Sequence, residues 1–360
     1  MGTSSASSTS SASSAPSSTP QQPLGSGFGA ASTTAEVITG IDLTGRTAVV
    51  TGGYSGLGRE TVRTFLAAGA RVVVPARDTA RAEKALDGIV DGIASADKLQ
   101  VWPMDLLDPA SIDAFADRFL ATGDLLHLLV NSAGIMAAPL TRDARGFESQ
   151  FATNHLGHFQ LTARLWPALV AARGARVVQV SSLGHRYSPV DLDDPHFERG
   201  AYDPWAGYGR SKTANILFAL ALDARGRDSG VRAFSLHPGS IAGTGLEKHV
   251  DPRMLKDAGM LTEDGTPVLD PARGLKTPEQ GAATIVWAAT GPALDGHGGV
   301  YCENCDIAPY GPDLTGRTSM AESRRLYGVQ RYAVDPDTAD RLWTLSERLL
   351  GLTFTTTATA

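Results

Sequence analysis

The chain has 360 residues, 42% hydrophobic and 19% charged, an ordinary globular balance in a length that buries a core without staples. A net charge of −6 argues against a general nucleic-acid binder, and two cysteines cannot build a disulfide framework. No apolar run approaches the ~20 residues of a membrane helix, and no basic, apolar leader opens the chain, so a cytoplasmic protein is expected.

The first charged residue is Glu36, and ten of the first twenty residues are Ser. Such a segment buries too little apolar surface to offset its ordering entropy. Residues 1–36 are therefore expected to be a disordered low-complexity tail, with one folded domain at 37–360. Past the tail, the β-type run Arg46–Thr51 leads to a helical pattern at Leu57–Ala68, the short run Arg71–Val74 and a helix from near Thr79. Further β-like runs are Leu99–Trp102, Leu126–Val130, Arg176–Val180 and Val231–Leu236, with helical patterns at about 109–121, 147–172, 206–226 and 278–290. Alternating strands and helices predict βαβ units in a mostly parallel sheet. Both faces are covered, which is why the strands read as continuous apolar runs: an α/β, doubly wound, Rossmann-type fold. Residues 240–277 are rich in Gly, Pro and charge without a clear period, the pattern of a binding loop.

Between the first strand and first helix stands Thr51-Gly52-Gly53-Tyr54-Ser55-Gly56-Leu57-Gly58. Glycines allow a tight turn and close approach to a pyrophosphate, and a helix N-terminus offers free N–H groups to it. A glycine run alone is weak evidence, but this placement points to a dinucleotide site. An NAD site usually carries an acid at the end of the second strand; here Ala76-Arg77 stand there, and a guanidinium suits a 2′-phosphate. NADP(H) is therefore favoured over NAD(H), the bland alternative being a solvated Arg77 with Asp78 as a helix cap.

Tyr208 and Lys212, four apart, share a helix face. A free phenol has a pKa of ~10, and a neighbouring ammonium favours its ionised form, which suits proton exchange near neutrality.

With these motifs the sequence resembles the short-chain dehydrogenase/reductase family. The shared features run in family order: the Thr51–Gly58 turn, Asp105, Asn131-Ser132-Ala133-Gly134, Asn154, Ser181-Ser182, Tyr208 with Lys212, and Pro238-Gly239. Asn154-His155-Leu156-Gly157-His158-Phe159, the insert Asp191–Pro204 and the ending Asp335–Gly351 resemble the retinol-dehydrogenase and WW-domain-oxidoreductase branch. The Arg excess over Lys and the bacterial members of that branch suggest a bacterial source.

The resemblance implies an NADP(H)-dependent oxidoreductase moving a hydride between nicotinamide and a small-molecule carbonyl or alcohol, a lipophilic aldehyde, ketone or secondary alcohol. Tyr208 would exchange the proton, Lys212 would lower its pKa and hold the ribose, Ser182 (rather than Ser181) would bind the substrate oxygen, and Asn154 would seat a water. Cofactor contacts are implied for Gly52, Ser55, Gly56, Leu57, Gly58, Arg77, Asp105, Leu106, Asn131, Ala133, Gly134, Tyr208, Lys212, Pro238, Gly239, Ile241 and Thr244. The family commonly has Thr four residues past Gly239; here that position is Gly243, with Thr244 beside it. The 240–277 loop and the 191–204 insert would shape the substrate pocket, and pairing through the two long helices would give a homodimer or homotetramer. Two alternatives stand: a nucleotide-sugar epimerase or dehydratase of the extended group, and a non-catalytic NADP-binding interaction protein. Cys302-x-x-Cys305 lacks partners for a zinc site and reads as two semi-buried thiols after a late strand. His155 and His158 read as packing residues, Asp193 and Asp194 as part of a turn, and no metal is expected.

Overall fold

The computed structural model describes residues 19–89, 91–92, 95–314 and 320–356. Among these, eight strands form one sheet in the order β3-β2-β1-β4-β5-β6-β7-β8. They are β1 (Thr47–Val50), β2 (Arg71–Ala76), β3 (Leu99–Pro103), β4 (Leu128–Asn131), β5 (Arg176–Val180), β6 (Arg232–His237), β7 (Val300–Glu303) and β8 (Asp306–Ile307). The first seven pair in parallel and β8 is antiparallel to β7. Strands β1, β4 and β5 are buried along their whole length, which explains runs such as Ala48-Val49-Val50.

The helices are α1 (Thr34–Val37), α2 (Gly56–Ala67), α3 (Thr79–Leu86), α4 (Pro109–Ala121), α5 (Ser149–Phe151), α6 (Gly157–Ala171), α7 (Pro204–Gly226), α8 (Pro252–Asp257), α9 (Pro278–Thr290), α10 (Met320–Arg324) and α11 (Pro336–Leu350). One face of the sheet buries Phe119 of α4, Phe159 of α6, Phe218 of α7 and Trp343 of α11. The other buries Val37 of α1, Phe65 of α2 and Trp287 of α9. The sheet is thus doubly wound, as expected. Its strand order reverses between β1 and β4, where the connections leave in opposite directions and open a crevice at the strand C-termini. No described helix is long and apolar enough to cross a membrane.

Four features depart from the sequence expectations. First, residues 19–36, assigned to the tail, are held to the body. The Gln21 amide donates to the carbonyls of Tyr301 (2.7 Å) and Ala308 (2.5 Å) and accepts from the Tyr301 N–H at 3.0 Å. The Asp306 carboxylate accepts from the backbone of Leu24, Gly25 and Ser26, and Thr33 with Glu36 forms a capping box on α1. Polar groups satisfying the outer strands hold this segment, a contribution that an apolar count misses. The rest of the predicted tail, 1–18, lies outside the described residues.

Second, the 147–172 helix is interrupted: α5 passes through a π turn, Ala152–Leu156, into α6. Third, the 240–277 segment contains α8 and a 3₁₀ turn at Pro271–Arg273. Its Val250, Leu255, Met260 and Leu275 form a small core with Ala137. Fourth, Cys302 sits within β7 and Cys305 in the β7–β8 turn, both fully buried rather than semi-buried.

Candidate active site

Helix α2 begins where β1 ends, and its start differs from those of the other helices that follow strands or loops with a side-chain cap. Helices α3, α4, α7, α9 and α11 are capped by the side chains of Asp78, Asp108, Asp203, Thr277 and Asp335. Ser55, the N-cap of α2, makes no such bond. The α2 N–H groups therefore remain available to an anion. Gly52 and Gly56 have φ of +66° and +49°, the left-handed region that L side chains resist. A Cβ on Gly58 would lie 2.3 Å from the Gly52 carbonyl oxygen, so the turn closes only on glycine. Leu57 and Ile241 meet over Gly281 of α9, and Thr244 lies against Gly56, where a Cβ would approach it to 3.0 Å. Thr244 therefore reaches the glycine turn despite its shifted position. Its hydroxyl and the Gly243 N–H are both held by Glu247.

At the end of β2, Arg77 is exposed, with no hydrogen bond or ion pair to it among the described residues. Asp78 caps α3 by accepting from the Arg81 N–H at 2.9 Å. Asp105 caps its own turn, accepting from the Leu107 N–H, and Leu106 is buried, its carbonyl against Gly157. The Asn131 amide donates to Thr162 at 3.2 Å inside the core, leaving its side chain turned away from the crevice. Ala133 packs against Gly52, and Gly134 is flanked by the Asn154 amide and the Lys212 ammonium. Gly239, next to Pro238, has φ of +105° and lies against the Lys276 side chain. These glycines form a continuous cradle that Cβ atoms would fill, and with the uncapped helix start they fit a pyrophosphate-bearing dinucleotide.

Four predicted side chains converge beside this cradle. Tyr208 and Lys212 are buried on α7. Ser182 follows β5, and its hydroxyl accepts from the Gly184 N–H at 3.0 Å. Ser182 and Tyr208 share an apolar cleft with Leu183, Trp205, Ile241 and Leu255. Ser181 points elsewhere, donating to the Lys212 carbonyl at 2.8 Å, which ties β5 to α7. Asn154 sits in the π turn, a feature common at functional sites. Its Oδ1 accepts from the Ile135 N–H, and its amide donates to the Ile135 carbonyl and the Ser211 hydroxyl at 2.9–3.0 Å.

Burial governs the ionisation here. It pushes Tyr208 up to about 12, with Ser182 opposing, and draws Lys212 down to about 8. Burial outweighs any depression of the phenol here; the Lys212 ammonium donates to the Val180 carbonyl at 3.0 Å and lies 5.6 Å from the ring centroid. The 191–204 insert does not line the cleft either. His196 stacks on Phe147 with centroids 4.6 Å apart, and Tyr202 donates to the Ala138 carbonyl, so the insert braces the wall from outside.

A family model described as short chain dehydrogenase matches residues 46–254. The chain is a short-chain dehydrogenase/reductase. This short-chain dehydrogenase is 44% identical over 304 residues to a protein of Streptomyces lividans named "Probable oxidoreductase", covering 84% of this chain and 97% of that one. It is 40% identical over 297 residues to polyprenol dehydrogenase of Mus musculus, covering 79% and 84%. It is 33% identical over 332 residues to the human WW domain-containing oxidoreductase, covering 90% and 72%. The chain is therefore an oxidoreductase of this family, whose shared chemistry uses a nicotinamide cofactor.

Several residues at the dehydrogenase site escaped the sequence reading. Gly184 is one: a Cβ there would lie 2.6 Å from the Tyr208 ring. Its signal is a glycine two residues past Ser182. His237 lines the cleft and accepts from the Leu183 N–H at 3.1 Å, and Trp205 forms a wall in edge contact with Tyr187. His155 and His158 both have hydrogen-bond partners inside the fold. His155 bonds Ser346, His158 bonds Thr51 and the Asn154 carbonyl, and no metal-binding cluster occurs among the described residues.

Proposed function

We propose that this enzyme is an NADP(H)-dependent oxidoreductase interconverting a lipophilic carbonyl compound and its alcohol, with Tyr208 as the acid/base. The observation that carries the reading is the meeting of the Ser182 and Tyr208 side chains in an apolar cleft beside the glycine cradle. When bound, the nicotinamide supplies the redox chemistry, exchanging two electrons with the substrate carbon.

The protein's part is binding, orientation and proton transfer. Tyr208, buried and therefore protonated at neutral pH, gives its phenolic proton to the carbonyl oxygen in reduction and takes one from the alcohol in oxidation. The Ser182 hydroxyl donates to the same oxygen as negative charge develops on it. Lys212 places an ammonium beside the phenol, held by Val180, and offers its remaining donors to the ribose hydroxyls. Asn154 acts through position: its amide joins Ile135 to Ser211, so the strand-end loop and α7 keep their spacing. The α2 N-terminus holds the pyrophosphate and Arg77 the 2′-phosphate. Leu183, Trp205 and Leu255 line an apolar wall that rewards apolar substrates by about 25 cal/mol per Å² buried.

The test is a screen of NADPH- and NADP⁺-linked turnover over aldehydes, ketones and alcohols of increasing chain length, run alongside Tyr208→Phe and Ser182→Ala. Efficiency should rise with chain length. Tyr208→Phe should lose turnover while still binding NADPH, and Ser182→Ala should lose on the order of 10²-fold in kcat. Near-normal turnover in Tyr208→Phe overturns the reading.

A further inference from the structure

Helix α8 and the turn after it border two cavities. Leu255 and Met260 line the substrate cleft, while Asp257, Ala258 and Gly259 border a second, polar cavity closed by Arg273, Arg324 and Arg325. Neither the glycine cradle nor the proposed proton transfer uses this second cavity.

Its charge is unbalanced: three guanidinium groups face one carboxylate, Asp257. Arg324 is the informative member. Its Nε and Nη1 are sequestered from solvent and have no hydrogen-bond partner among the described residues. A buried charged donor left unpaired is costly, and native structures keep such groups where something else satisfies them. Neighbouring charge does not do so. Arg273 and Arg325 lie close enough to repel the Arg324 charge, adding to its burial, and both lower its pKa. Arg273 is itself loosely held, its nearest carboxylate, Asp270, lying 3.9 Å away, too far for a hydrogen bond. Guanidinium forks match the planar, multiply accepting oxygens of carboxylate and phosphate.

We propose that Arg273, Arg324 and Arg325 form a binding site for a small oxyanion, of the phosphate or carboxylate class, separate from the cofactor cradle. An anion there joins α10 to the turn after α8, whose neighbours Leu255 and Met260 wall the substrate cleft. Tyr187 continues the link, since its ring lines the cleft while its hydroxyl bonds Ser323, next to Arg324. Occupancy therefore stabilises the cleft wall along with the fold.

The probe is inorganic phosphate, with acetate as a second arm and chloride at matched ionic strength as the reference. All runs use the Arg77→Ala background, so that the proposed 2′-phosphate site makes no contribution. Thermal unfolding is followed with and without Arg324→Gln added, and again with Arg325→Gln in case the first variant folds poorly. At tenfold its Kd the anion should raise Tm by about 2–4 °C in the Arg77→Ala protein and by less than a third of that once either arginine is neutralised. A response to phosphate alone assigns the phosphoryl class, and a response to acetate as well assigns oxyanions generally. Equal shifts with and without the arginines, or no shift with either anion, overturn the proposal.

Discussion

Arg77 and Asp78 are neighbours with opposite commitments. The Asp78 carboxylate is engaged in capping α3, while Arg77 is exposed and unpaired among the described residues. The acid nearest the end of β2 is therefore occupied by a helix, and the free group there is a cation. A charge-assisted hydrogen bond contributes about 1.5–3 kcal/mol, on the order of 10–100-fold in an equilibrium. Replacing Ala76→Asp with Arg77→Ile should accordingly lower the NADP-over-NAD ratio of kcat/KM by at least about tenfold. Initial rates with both cofactors measure it, and equal efficiencies in the unsubstituted enzyme would sink the NADP assignment.

At the scale of elements, the π turn Ala152–Leu156 decides how the cradle meets α7. The Nδ1–H of His158 donates to the Asn154 carbonyl (2.9 Å), and the Thr51 hydroxyl bonds His158 Nε2 (2.9 Å) while accepting from the Ser132 and Ala133 N–H groups. One buried imidazole thus links the glycine turn, the end of β4 and the Asn154 turn. Burial draws its pKa down to about 4, so it stays neutral and keeps an acceptor for Thr51. Replacing His158→Phe strands the Thr51 hydroxyl and the Asn154 carbonyl. It should cost about 1–3 kcal/mol in urea unfolding and raise the KM for cofactor more than that for substrate. Equal changes in the two KM values would mean that His158 serves packing alone.

For the whole molecule, three fully buried histidines make folding sensitive to acid. Burial draws His155 and His185 down to about 3 and His158 to about 4. The unfolded chain binds protons on them below about pH 6.5 and the folded one does not, so stability falls as pH drops from 6.5 towards 4. By pH 5 the three together make a difference of nearly three protons. Glu148 and Glu303, which burial raises, work in the opposite sense. The clean measurement is therefore a comparison: urea midpoints between pH 7 and pH 5 should fall less steeply in His155→Leu than in the parent, by about one proton. An unchanged slope would show that His155 is not kept neutral by the fold.

Much of this was legible in the amino-acid order. Period and apolar runs determined the alternation of strands and helices. The Thr51–Gly58 run determined where β1 must turn, and four-residue spacing put Tyr208 and Lys212 on one face of α7. Each is a local property, set by backbone sterics and by which residues avoid water. What only the tertiary structure decided is non-local. Burial on α7 raised Tyr208 where the neighbouring ammonium alone had suggested a lower value. The Asp191–Pro204 insert became an outer brace rather than a pocket wall, because His196 found Phe147. Residues 19–26, poor in apolar surface, were held by the polar groups of Tyr301, Asp306 and Ala308, nearly three hundred residues away. Hydrogen-bond partners and desolvation depend on which distant segments fold together, and no local pattern in the chain encodes that.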